Sequence, residues 1–336
     1  MQRHLAVVNA GGWGTALAVV LGNAGHEVRL WCRRAALVDE ISQTRENRIY
    51  LPGVIVPPTV HPTTSLQDTI EGATAVFLVP ISRATRETAR EVAAYLTHGT
   101  PVLHASKGLE YPSLSRLSEA IAEEFNVPAM SVAALSGPTH AEEVGRGQPT
   151  AAVVACGDPA IAALFQDLLH GPTFRVYTST DLTGVELCGA LKNVIALATG
   201  AADGLGYGDN ARAALITRSL AEIGRLVQAA GGDPRTVAGL AGLGDVVATC
   251  TSRLSRNRWA GEQIGRGLSA EETVASTPKV IEGIPATRAA VELGARYSVD
   301  LPVCTQVDEV LNHGAPVREV VARLMGRGAT VELPST

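Results

Sequence analysis

The chain has 336 residues, of which 46% are hydrophobic and 18% charged, which excludes a disordered polypeptide and leaves room for two domains of ordinary size. A formal net charge of −5 excludes a global field that would draw the chain to nucleic acid or to an acidic membrane, so any anion must be bound locally. Aromatic residues make up only 4% while glycines number 34, so the core falls to Ala, Val, Leu and Ile, the usual filling of packed α/β layers.

The uncharged run from Leu5 to Gly25 is broken after Val8 by Asn-Ala-Gly-Gly, too early for a secretory signal or a membrane span, and Leu5–Val8 suits a buried strand. Residues 7–18, VVNAGGWGTALA, then turn from strand to helix through Gly11, Gly12 and Gly14, the pattern that seats a dinucleotide pyrophosphate on a helix N-terminus. The first fingerprint position, which serves a tight turn, holds Asn9. Asparagine is the non-glycine residue most at ease with positive φ, so Asn9 is expected to take that turn, and Asn9, Gly11, Gly12 and Gly14 to line the cofactor site. At the end of the second strand, where an NAD-selective chain carries a carboxylate, stand Arg33 and Arg34. Their guanidiniums suit a 2′-phosphate, which predicts NADP or NAD with NADPH preferred; a solvated surface pair is the competing reading.

Short β-rich runs alternate with helical patterns as far as Thr180: HLAVV, EVRLW, TAVFLV, TPVLHA, MSVAAL, TAAVVA and FRVYT. They predict an α/β fold, an N-terminal Rossmann-like doubly wound parallel sheet over residues 1–188. Long Ala- and Leu-rich segments at 182–201, 210–230 and 286–297 follow, and predict an all-helical, substrate-binding domain over 189–336. Three strands run into unusual residues: Val79-Pro80-Ile81-Ser82, then Ser106-Lys107-Gly108, which lifts an ammonium into a cleft, and Ser136-Gly137-Pro138-Thr139, whose amides open a helix.

Within ELCGALKNVIALATGAA, Lys192 has Glu186 as the only other charge between Leu182 and Ala202. Desolvation brings an ammonium towards the range where it exchanges a proton, so Lys192, with Asn193 beside it, is a candidate general acid and base; the alternative is a lysine snorkelling to water. Asp245 and Thr249 lie four apart and share a helical face, and Arg253, Arg256, Asn257 and Arg258 follow. Carboxylate, hydroxyl, amide and guanidinium together describe a small polyhydroxylated, phosphorylated substrate. His140 reads as a helix-start residue. The five cysteines, Cys32, Cys156, Cys188, Cys250 and Cys304, lack the paired spacing of zinc or redox sites, so they read as reduced core thiols in a cytoplasmic protein with no metal.

NAGGWGTALA, NRIYLPG, SKGLE, SGPTHAEE, LKNVIALATGAADGLGYGDNARAALITR, GLAGLGDVVATCTSRLSRNR and KVIEG, spread in this order over nearly the whole chain, resemble the bacterial NAD(P)-dependent glycerol-3-phosphate dehydrogenases. The resemblance implies reduction of dihydroxyacetone phosphate to sn-glycerol 3-phosphate, feeding phospholipid synthesis. It puts Gly12, Trp13, Arg33, Arg34, Lys107, Ala141, Arg256, Val280 and Glu282 at the dinucleotide. It puts Lys107, Gly137, Thr139, Lys192, Asp245, Ser255, Arg256 and Asn257 at the substrate, with Lys192 as proton acceptor in the oxidative direction. Asp245 and Asn193 would hold the lysine and substrate hydroxyl, and Arg256 and Asn257 would clamp the phosphate. Asn9 and Ser219 depart from the family's usual glycines. A homodimer is expected, with no nucleic-acid partner and no membrane span. Two other functions stay open: a sister two-domain 3-hydroxyacid dehydrogenase, and a non-catalytic NADP sensor.

Overall fold

Five consecutive buried residues, His4–Val8, leave neither face for water and form the central strand of a sheet, β1. The computed structural model describes residues 4–329 and 331–332; residues 1–3 and 333–336, the outer ends of the two expected domains, lie outside the described residues, as does residue 330. The other strands are β2 (Val28–Trp31), β3 (Glu46–Asn47), β4 (Leu51–Ile55), β5 (Val60–Thr63), β6 (Ala73–Leu78), β7 (Val102–His104), β8 (Val132–Ser136), β9 (Thr150–Ala155) and β10 (Phe174–Ser179). Eight of them form one sheet in the order β10-β9-β8-β7-β6-β1-β2-β5, parallel at every junction except β8 against β9. The chain leaves β1 on one side for β2 and β5 and returns on the other for β6, so the strand order reverses between β1 and β6, where open sheets of this kind bind ligands.

All seven predicted strands are present, and the doubly wound, mostly parallel sheet is as expected. The pattern missed β5, whose VHPT sequence interrupts its apolar period with His61 and Pro62; proline is tolerated there because β5 is the sheet's edge. It also missed the small hairpin β3-β4, which owes its place to a side chain. Buried Asn47 donates to Ala10 O (3.0 Å) and Thr15 Oγ1 (2.8 Å), tying the hairpin to the first glycine-rich turn.

After β10 the remaining regular elements among the described residues are helical. The first, Leu182–Gly204, is capped by Asp181, which accepts from Gly184 N at 2.9 Å, and it runs unbroken through residue 188, where the two domains were expected to part. It is long and apolar enough to cross a membrane, but 89% of its apolar window is buried inside the protein, so it is a core helix. Helix Arg256–Gly265 packs on it backbone to backbone. A Cβ at Gly200 would lie 2.0 Å from Arg258 O, and one at Gly261 would lie 2.1 Å from Leu197 O. That contact brings the N-terminus of the second helix beside Asn193, where the two helices share a hydrogen bond.

Alanine at position 261 gains about 1 kcal/mol of helix propensity. The clash with a backbone carbonyl that cannot retreat costs about 3 kcal/mol or more, the upper end of overpacking. Gly261→Ala is therefore expected to lower the unfolding free energy by about 2 kcal/mol in denaturant titrations, and an unchanged midpoint would show that the helices can separate at no cost.

Candidate active site

The first glycine-rich turn is shaped by two different demands. Asn9 takes φ 83°, the left-handed conformation expected of it. Gly14 is needed for space, because a Cβ there would sit 2.0 Å from Asn9 O and lift helix Gly12–Asn23 off the strand. Gly12 meets the neighbouring hairpin, with Tyr50 O 2.7 Å from where a Cβ would stand, whereas Gly11 faces open space. No side chain caps this helix, so its positive end and first amides are left for an anion. Asn9 Oδ1 and Trp13 Nε1 are buried without hydrogen-bond partners. An open turn at the sheet's switch point, an uncapped helix and two orphaned polar atoms fit a dinucleotide that supplies the missing contacts.

Arg33 and Arg34 follow β2 at the surface. The Arg34 guanidinium donates to Tyr50 Oη at 2.9 Å and lies 5.6 Å from that ring's centroid, which holds one of the two arginines beside the turn. Ala141 borders the same loop, 3.8 Å from the Cβ position of Gly12, in the short helix Ala141–Gly145 whose N-cap is His140, the helix-start residue expected.

Beyond the ends of the strands, one buried carboxylate joins two lysines. Lys107, beyond the end of β7, donates to Asp245 Oδ2 (2.8 Å), Gly137 O (2.8 Å) and Thr139 Oγ1 (3.0 Å). Lys192, from helix Leu182–Gly204, donates to Asp245 Oδ1 and, at 2.9 Å, to Thr249 Oγ1. Burial brings Lys107 down to about 8, with Asp245 opposing the fall and Lys192 adding to it. Burial alone would raise the Asp245 carboxyl, but the two ammoniums hold it below its ordinary value. Asp245 owes its position to the residues before it: Leu240–Gly244 wind as a π-helix, the wider turn often found at functional sites, directly into helix Asp245–Thr251.

Helix Arg256–Gly265 brings its N-terminus to this cluster. Ser255 is its N-cap and accepts from Arg258 N at 3.2 Å, and Arg256, at the first position, is exposed and makes no ion pair among the described residues. Asn257 is buried, and its side chain is engaged: it donates to Asn193 Oδ1 (2.8 Å) and accepts from Gly283 N (2.9 Å). Its backbone N–H at the helix start is what it offers an anion. Arg258 turns away to Asp203 at 2.6 Å. Glu282 reaches across to the sheet domain, accepting from Ser82 N at 3.3 Å and from the Ser82 hydroxyl, while Val280 is half-buried on the same segment. Residues 200 apart in sequence meet there, and neither Ser82 nor Tyr50 carries a sequence signal of its partner. Among the described residues no group of three or more His, Cys, Asp or Glu is placed to hold a metal, and all five cysteines are buried and unpaired.

A family model described as NAD-dependent glycerol-3-phosphate dehydrogenase N-terminus matches residues 4–162, and its C-terminal counterpart matches residues 181–322. The chain is 50% identical over 335 residues to a protein of Moorella thermoacetica named glycerol-3-phosphate dehydrogenase (NAD(P)+), covering 100% of this chain and 99% of that one. The solved structure of glycerol-3-phosphate dehydrogenase from Coxiella burnetii superposes with a TM-score of 0.91 at 39% identity, covering 97% and 99% of the two chains. A ketopantoate reductase of the PanE/ApbA family from Ralstonia eutropha JMP134 shares the fold alone, with a TM-score of 0.60 at 17% identity over 96% of this chain and 100% of that one.

Removing the shared carboxylate should leave two cations facing each other with little water. Asp245→Asn is expected to destabilise the fold by about 3–5 kcal/mol at pH 7, the cost of orphaning a buried charge. Because Asp245 is what holds Lys107 as high as about 8, the lysine of the variant sheds its proton below that value, so the penalty should shrink as the pH is raised towards 8 and level off above it. Denaturant titrations at the two ends of that range give the difference, and a penalty independent of pH would exclude charge repulsion as its source.

Proposed function

This chain belongs to the NAD-dependent glycerol-3-phosphate dehydrogenase family, and we propose that the side chains gathered between its sheet and its helices carry that family's reaction. It is an NAD(P)-dependent oxidoreductase that reduces dihydroxyacetone phosphate to sn-glycerol 3-phosphate, reversibly, supplying glycerophospholipid synthesis. Bound in the cleft, the nicotinamide supplies the hydride. The protein's tasks are to hold the phosphate, orient the ketone and deliver a proton to its oxygen.

One observation carries the division of labour between the lysines. An ammonium has three N–H donors. Among the described residues Lys107 has all three directed at Gly137, Thr139 and Asp245, whereas Lys192 uses two, on Asp245 and Thr249, and keeps one. Lys192 is thus the group free to donate to the substrate oxygen and to take the proton back in oxidation, while Lys107 steadies Asp245 and adds positive charge. After the transfer, Asp245 loses one of its cations and attracts a proton back to Lys192 from solvent. Asn193 is fixed by Asn257, so the amide beside the reacting lysine and the start of the phosphate-binding helix move as one piece. Arg256 and the first amides of that helix clamp the phosphate, with Ser255 as the cap that exposes them. A sensor of NADP has no use for a lysine pair bridged by a buried carboxylate, and a 3-hydroxyacid enzyme has no use for the phosphate site.

At the other end, Gly11, Gly12, Trp13 and Gly14 take the pyrophosphate, Arg33 and Arg34 the adenosine end, and Ala141, Val280 and Glu282 complete the dinucleotide's wall. The sheet part, nominally 1–188, binds the cofactor and the helical part, 189–336, the substrate; the division is best set at Asp181, which caps the first helix. The proposal extends to a homodimer in the cytoplasm, in keeping with five buried, unpaired thiols and with sedimentation of the intact chain as its measure.

Lys192→Met should keep its fold and its NADPH affinity but lose turnover by roughly a hundredfold or more. Near-normal turnover in a folded variant excludes Lys192 as the proton-transfer group. For the cofactor, exposed guanidiniums on a 2′-phosphate give charge-assisted bonds partly screened by water, so about a tenfold preference for NADPH is expected. Replacing both Arg33 and Arg34 by alanine should raise the Michaelis constant for NADPH several-fold, more at low salt, and leave that for NADH nearly still. An equal loss for both cofactors would mean that the arginines support the loop and do not read the phosphate.

A further inference from the structure

We infer that Glu186 is a positioning residue for the reaction, seating the helix that carries Lys192 on the strand that carries Lys107. The inference rests on the assignment of these lysines to the reaction, and it concerns the one other charge in the apolar stretch around Lys192. The Glu186 carboxylate is buried, accepts three hydrogen bonds from Arg116 and Ser118, and has His104 of a second segment within ion-pair distance though outside hydrogen-bond geometry. Oε1 lies 3.1 Å from His104 Nε2 and accepts from Ser118 N at 2.9 Å. Oε2 accepts from Ser118 Oγ at 2.6 Å and from the Arg116 guanidinium at 3.1 Å. Burial would raise this carboxyl, but His104, Arg116 and Ser118 outweigh it and hold the group ionised below its ordinary range.

The geometry gives those contacts a direction. His104 is the last residue of β7, three before Lys107, and Glu186 is six residues before Lys192 on the long helix, about 9 Å of rise. Between them the helix lies on the Lys107 stem: a Cβ at Gly189 would be 3.0 Å from Ser136 Oγ and 3.8 Å from Lys107 Cγ. The Gly189 contact sets how close the helix lies to the strand ends. Sliding along its own axis is opposed by Glu186, whose two oxygens are held from β7 and from the start of helix Leu117–Phe125. A slide of one ångström would move the Lys192 ammonium by the same amount against Asp245 and the substrate oxygen, a displacement that costs up to about a hundredfold in rate.

The test compares variants of the full-length enzyme by kcat, by KM for NADPH and for dihydroxyacetone phosphate, and by melting temperature. Glu186→Gln keeps the shape and loses the charge; Arg116 retains Glu119 at 2.6 Å, so no cation is orphaned. Its kcat should fall roughly tenfold or more, with the NADPH KM unchanged. His104→Gln, which keeps a polar side chain beside Glu186, should retain kcat within about threefold, and His104→Leu, which puts an apolar group against the carboxylate, should not. Glu222→Gln is the control for a merely structural carboxylate: Glu222 is also buried, accepts from Val303 N (2.8 Å) at the start of helix Pro302–His313 and among the described residues hydrogen-bonds neither lysine nor Asp245, and its loss should lower the melting temperature with kcat intact. If Glu186→Gln and His104→Leu lower the melting temperature alone, as Glu222→Gln does, the inference is overturned. Should Glu186→Gln fail to fold, the two His104 variants decide by the same criterion. Undiminished turnover in Lys192→Met would instead sink the underlying assignment, a separate and separately visible result.

Discussion

The junction of sheet and helices depends on a single anion held between two cations. Asp245 has almost no water around it, and burial alone would favour its neutral form; the two ammoniums reverse that and keep it charged. Each partner comes from a different part of the fold. Lys107 follows a strand of the sheet, Lys192 lies within the long core helix, and Asp245 opens a short helix and reaches both with its side chain. A buried pair of this kind is weak evidence of stability, since desolvation consumes most of the Coulombic gain. It is better understood as a constraint: the carboxylate is comfortable only when both cations are in place, so the helical and sheet parts are held in one arrangement at this cluster.

That arrangement rests on residues chosen for what they lack. Gly200 and Gly261 allow two helix backbones into contact, and the second helix then delivers Arg256 and its first amides beside Asn193. Gly242 does similar service in the π-turn before Asp245, where a Cβ would stand 2.1 Å from Val237 O. The glycine-rich approach to Asp245 is therefore a packing requirement of the turn that aims the carboxylate. Around the start of helix Arg256–Gly265 the polar contacts form a chain, Ser82 to Glu282, then Gly283 to Asn257, then Asn193, so the loop beyond β6 is linked to the residue next to Lys192.

The parts legible in sequence were those with a local rule behind them. Continuous apolar runs such as HLAVV and TAAVVA declare buried parallel strands, and ELCGALKNVIALATGAA declares a core helix by its lack of charge. Lys192, Asp245 and Thr249 were legible because a polar group in an apolar setting needs a reason, and they do meet. What could not be read was partnership over distance. The sequence motif near Asn257 suggests a phosphate ligand, but its side chain proves to be a bridge between Asn193 and Gly283, and Arg258 belongs to Asp203. The hairpin β3-β4 has too few residues for a period; its place is set by Asn47, whose partners lie more than thirty positions away.

Asn9 shows how a motif can be broken without the site being lost. The three glycines of a dinucleotide turn answer to separate physical demands, and only one of those is conformational. At the first position the backbone must take positive φ, which asparagine does at modest strain, and Asn9 adopts φ 83°. At the last position the demand is steric and absolute, because a Cβ on Gly14 would enter the space of Asn9 O at 2.0 Å. Between them the demand is for open space, and at Gly11 nothing among the described residues lies within 4 Å of its Cβ position. A substitution is therefore tolerable at the first position and intolerable at the last, although a pattern match scores both alike. The asparagine adds a buried Oδ1 with no partner, where glycine would add nothing, so its cost is an unsatisfied acceptor as well as the strain of the turn.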